Sequence, residues 1–118
     1  MRILCLAVLA IASLAHAQEA PSHFLIEYEL AAGVDITHLT QPQEAVFKQH
    51  GAQLMKLRDE GVVVAGGHTD NPQHMRAFVI VKAGDAAAAR AVGAADPAVK
   101  GGLLTFSLEP FTLAIPLR

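Results

Sequence analysis

From residue 23 to residue 30 the chain alternates, with Phe24, Ile26, Tyr28 and Leu30 on one side and Glu27 and Glu29 on the other. Period two predicts a strand with one strongly apolar face. Residues 33–40 are polar and predict a loop. Pro42 then suits the first turn of a helix, with Thr40 or Gln41 before it and Glu44 complementing the helix dipole. That helix is expected to run to Glu60 and stop at Gly61. Phe47, His50, Leu54 and Leu57 recur at spacings of three, four and three, one face of a helix, which Val46 and Met55 widen. Val62, Val63, Val64 and Ala65 form a short strand ended by Gly66 and Gly67. Residues 68–74, with Asp70, Asn71 and Pro72, have turn chemistry. Residues 76–82 predict a third strand, paired with the second as a hairpin. Asp85 caps an alanine-rich helix over residues 86–94. Asp96-Pro97 breaks it, Gly101-Gly102 turns the chain, and residues 103–117 read as a final β stretch bent at Pro110.

The order strand, helix, strand, strand, helix, strand predicts an α+β, ferredoxin-like βαββαβ fold. Its four strands form an antiparallel sheet with both helices on one face. The second face would carry Leu25, Glu27, Glu29, Thr105, Ser107 and Glu109, a mixture that suits either the sheet of a second subunit or plain solvent.

Before residue 18 the chain follows a different rule. Met1-Arg2 is followed by a run of apolar residues broken only by Ser13, and Ala15-His16-Ala17 reads as a small-x-small cleavage site. This predicts a secretory signal peptide over residues 1–17. The run is shorter than the about 20 apolar residues of a spanning helix. Residues 18–118 are then the single mature domain, expected in the periplasm or secreted, with no stable membrane association. Cys5 is the one cysteine, so the mature domain needs no oxidative folding and has no thiolate for zinc.

Composition mainly excludes. Nine Lys and Arg against eleven Asp and Glu give a net charge of −2, the wrong sign for a nucleic-acid footprint or a polybasic membrane patch. Tryptophan is absent, which leaves little for a base-stacking platform. No nucleophile elbow, zinc-protease helix, phosphate loop or dinucleotide fingerprint is present, and no cofactor is expected.

Two constellations could carry chemistry. His50 takes a seam position that the helical spacing reserves for an apolar residue, so its imidazole faces the sheet or a cleft beside it. Imidazole is the side chain best matched to proton transfer near neutral pH, although a histidine bonded to a backbone carbonyl fits the same position. Asp96 could orient that imidazole or simply start a turn before Pro97; sequence spacing leaves their contact open. His68, Asp70 and His74 form a second group of metal-competent donors on one loop.

The chain resembles the YCII-related (YciI-like) family. The likeness is carried by His50 and the helix to Gly61, by the strand ending at Gly66-Gly67, by Ala95-Asp96-Pro97 with Gly102-Leu103, and by Glu109-Pro110-Phe111. It spans roughly residues 24–116, nearly all of the mature chain. The resemblance implies a fold that dimerises by apposing two sheets into an α+β barrel, with a histidine–aspartate site at His50 and Asp96. It also implies cofactor-free acid–base chemistry, as lyase, isomerase or elimination catalyst, on a small cyclic or aromatic compound. A non-catalytic binding module and a metal-binding loop protein are the alternatives. Three departures bear on the substrate. Phe47 stands where many relatives have arginine, Ala98 where many have an aromatic residue, and Gly67-His68 where Gly-Pro is usual.

Overall fold

The computed structural model describes residues 22–116 and 118. The segment expected to be a signal peptide, residues 1–17, lies outside them. The elements are β1 (His23–Leu30), α1 (Gln41–Asp59), β2 (Val63–His68), β3 (Arg76–Lys82), α2 (Ala86–Ala94), α3 (Pro97–Lys100) and β4 (Leu104–Phe111). The strands form one antiparallel sheet in the order β2-β3-β1-β4, the ferredoxin-like arrangement. Among the described residues no helix is long and apolar enough to cross a membrane.

The alternation in β1 decides which face is inside. Phe24, Ile26 and Tyr28 are fully buried, joined by Val79 and Val81 of β3, Val63 of β2 and Leu104 of β4. Ala89 of α2 and Ala98 of α3 pack on them from above. The other face carries half-buried Leu25, Phe78 and Ile80 beside exposed Thr105, Ser107 and Glu109. Leu25 pairs with Ile80, and Glu27 with Phe78. Arg76 Nη1 reaches Glu27 Oε1 at 3.3 Å, and its guanidinium lies over the Phe78 ring at 5.6 Å.

α1 begins with a capping box. Thr40 Oγ1 accepts from the Gln43 backbone N–H at 3.3 Å, and Gln43 Oε1 accepts from the Thr40 N–H at 3.0 Å. Gly61, at φ 78°, lets the chain leave the helix in a conformation that costs glycine least. Val46, Phe47, Leu54 and Leu57 face the core, yet no residue of α1 is fully buried. The sheet beneath does bury its side chains, so the layer between α1 and the sheet is incompletely filled.

Three elements differ from the expectation. β2 does not stop at Gly66-Gly67 but continues to His68, with a bulge between Val63 and Ala65. A Cβ at Gly66 would lie 2.8 Å from both the Phe78 carbonyl oxygen and Val79 Cγ1, so glycine there admits a close backbone approach and does not end the strand. Asp96-Pro97 breaks α2 but also opens α3, because Pro is well placed in a first helical turn and Asp is a strong N-cap. β4 ends at Phe111 and does not extend toward residue 117. Pro110 is accommodated within it because β4 is an edge strand.

Candidate functional site

His50 projects from the inner face of α1, one turn after Phe47 and one before Leu54. Asp96 is the N-cap of α3, 46 positions further along the chain. The packing of α1 against α3 brings them together: His50 Nδ1 and Asp96 Oδ2 lie 2.7 Å apart. A carboxylate only accepts, so Nδ1 carries the hydrogen and donates it. The second oxygen, Oδ1, accepts from the Ala98 backbone N–H at 2.8 Å. Asp96 is only 2% exposed, while the His50 side chain keeps 15%. The carboxylate is thus sealed and held from two sides, and the imidazole it holds retains contact with open space.

That space is a cavity of about 380 Å³ between α1 and the sheet. Leu54, Met55 and Val63 make its wall largely apolar, and Arg58 lines its rim. A smaller cavity of about 170 Å³ adjoins the same imidazole on the Phe47 side. With Nδ1 committed to Asp96, Nε2 is the nitrogen left for whatever enters. Both cavities follow from the incomplete filling beneath α1. A larger cleft, about 560 Å³, lies between residues 29–38 and 72–76. None of its lining residues is fully buried, so it lacks the water-excluded polar group that chemistry at a pocket ordinarily uses.

The imidazole is braced by rings on two sides. Tyr28 meets it edge to face, with centroids 5.4 Å apart and planes at 86°, and Phe47 at 6.4 Å and 88°. Tyr28 was expected only as part of the apolar face of β1. Its ring fills that role at 1% exposure, but its hydroxyl is buried beside the site with no hydrogen-bond partner among the described residues. Burial first, then the negative charge of Asp96 and the approach of the hydroxyl to it, hold the phenol well above its ordinary pKa of 10.0. The signal available in sequence was a polar-tipped residue, the one tyrosine of the chain, at a core position.

The proposed metal ligands do not converge. His68 Nδ1 lies 3.7 Å from Asp70 Oδ1, and Nδ1 is 3.2 Å from the Thr69 carbonyl oxygen. His74 sits in the following turn and lines the outer cleft. Among the described residues no group of three or more His, Cys, Asp or Glu side chains could hold a metal ion. The reason is β2: by continuing through Gly66-Gly67 it puts His68 on a strand, where it lines both cavities beside His50. A second Asp–His pair, Asp35 and His38, is solvent-exposed. Its contact is 3.0 Å, and Thr37 donates from its hydroxyl and backbone to Asp35 at 2.6 and 2.9 Å. These bonds, with the His38 contact, lower the Asp35 carboxyl to about 2.

Residues 22–111, which span the whole of the sheet just described, match the YCII-related domain. The chain belongs to that family. Among solved structures, this YCII-related chain is similar to 5-chloro-2-hydroxyhydroquinone dehydrochlorinase of Burkholderia phenoliruptrix AC1100 in complex with 2,5-dihydroxybenzoquinone. The identity is 17%, the TM-score 0.49, and the likeness covers 75% of this chain and 93% of that one. It is also similar to SnoaB, a cofactor-independent oxygenase of Streptomyces nogalater, at 18% identity and TM-score 0.45, over 83% of this chain and 98% of that one. No curated protein sequence matches it.

Proposed function

We propose that this YCII-related protein is an acid–base catalyst acting on a small, largely apolar compound, with His50 as the proton-transferring group and Asp96 as its orienter. The observation that carries the reading is the 2.7 Å bond from His50 Nδ1 to a carboxylate that is itself sealed, on an imidazole that lines a cavity. A histidine serving only to fill the core would be expected dry and bonded to backbone. In an elimination, Nε2 takes a proton from carbon, the C–H electron pair becomes the new double bond, and the leaving group departs with its own pair. In an isomerisation the same imidazolium returns the proton to a neighbouring carbon. Neither step asks for a resident cofactor.

The experiment is a binding screen of small cyclic compounds against the purified protein, followed by turnover assays on the hits. His50→Ala should keep the fold and lower turnover by about 10²–10⁴-fold, the usual contribution of a positioned acid–base group. Turnover equal to that of the unsubstituted protein would refute the assignment.

Two further readings accompany it. The open sheet face carries a shallow depression of about 330 Å³ lined by Leu25, Phe78 and Ile80, which supports a homodimer formed by apposing two sheets. The sequence of residues 1–17 supports export, and Gln18 would be the first residue of protein recovered from the periplasm.

A further inference from the structure

A carboxylate has roughly four lone-pair positions, and those of Asp96 are answered twice, by the Ala98 N–H and by His50. The Tyr28 hydroxyl is the polar group left over. Its oxygen is closed to solvent and unpartnered, so neither water nor a ligand reaches it without rearrangement. Among the described residues it approaches one charged acceptor, the Asp96 carboxylate. An unmade hydrogen bond on a sealed hydroxyl is rare in native proteins, and such a group calls for an explanation.

We infer that Tyr28 is a positioning residue of this site: its hydroxyl is a third donor reserved for Asp96, and it sets how much of the carboxylate's charge is left to the His50 imidazole. Networks of this kind polarise one another. A donor on Asp96 draws charge away from the His50 contact; removing it concentrates that charge on the imidazole. The tyrosine ring contributes separately, through its edge contact with His50, so ring and hydroxyl can be tested apart. This inference rests on the dyad reading above, and the two fail separately.

The test needs no ligand: the protonation of His50 is followed by NMR across the pH range in the full chain. The other ionisable groups facing the larger cavity are Arg58 and His68, and neither is substituted in any of the proteins compared. Tyr28→Phe keeps the ring and should move the His50 protonation equilibrium toward the imidazolium by about threefold, half a pH unit. Because Tyr28 is the only tyrosine, biosynthetic incorporation of 3-fluorotyrosine alters this one hydroxyl. It makes the phenol a stronger donor and should move His50 in the opposite direction. A ring acting only by packing gives no such pair of opposed shifts. If Asp96→Asn moves His50 while neither tyrosine change does, the role of Tyr28 is overturned and the dyad stands. If Asp96→Asn leaves His50 unmoved, the dyad itself is overturned. Should Tyr28→Phe not fold, the fluorinated protein, altered at one ring position, decides the question.

Discussion

Asp96 performs two tasks that substitution can separate. Asparagine is as good an N-cap as aspartate, so Asp96→Asn should keep α3 and cost less than about 1 kcal/mol while weakening the hold on His50. Asp96→Ala removes the cap and leaves the Ala98 N–H and the imidazole without their acceptor. It should cost about 1–3 kcal/mol in urea denaturation. Tyr28 gives a second measurement at this scale. Its pKa is raised in the folded state, so the neutral phenol contributes stability that is complete below pH 10 and is lost as pH rises beyond it. Tyrosinate absorbance should therefore be absent at about pH 10, where free tyrosine is half ionised, and appear together with unfolding. His50 could be read from the helical spacing because a polar residue interrupts an apolar seam. Its bond to Asp96 could not, because a contact across 46 positions is made by the packing of α1 on α3, for which local periodicity carries no signal. Tyr28 escaped for the reverse reason: its ring satisfies the strand pattern completely and conceals the hydroxyl.

Among the elements, β1, α1, β3 and α2 followed from period and caps almost to the residue. Those signals are local: alternation, Thr40 before Pro42, Asp85 before alanines. β2 and α3 were misjudged where one residue type has two meanings. Glycine ends strands, but at Gly66 it admits the neighbouring backbone; proline ends helices, but at Pro97 it starts one. Gly66→Ala should confirm the first point. Its Cβ would meet a backbone oxygen and a core valine at 2.8 Å, and relief by moving the strand should cost about 1–3 kcal/mol, seen as a lower thermal midpoint. In the loop entering α1, the depressed Asp35 carboxyl makes a pH prediction of opposite sign to that for Tyr28. Its bonds to Thr37 and His38 favour the fold fully above about pH 4 and are lost as pH falls toward 2. The protection factor of the Thr37 amide, the exchange rate of an unstructured amide at the same pH divided by its own, should fall over that interval, and Asp35→Asn should abolish that change.

For the whole molecule, the fold class was legible because the order of elements leaves few topologies, and the observed strand order is that of the ferredoxin-like class. The role of the second sheet face was not, since Leu25 and Ile80 beside Glu27 and Glu109 fit a wet interface as well as an exposed surface. If two sheets appose there, Phe78→Glu should yield a monomer in sedimentation velocity without unfolding the chain. Its new carboxylate would face Glu27 across the strand pair and would be buried at the dimer seam. The same architecture bears on when the proposed chemistry could begin. The imidazole comes from the first helix and its anchor from the turn before the last strand, so a chain whose final third has not docked carries a histidine aimed at nothing. On the proposed reading, a molecule in which α3 has not yet packed on α1 would have no oriented imidazole and would be chemically silent.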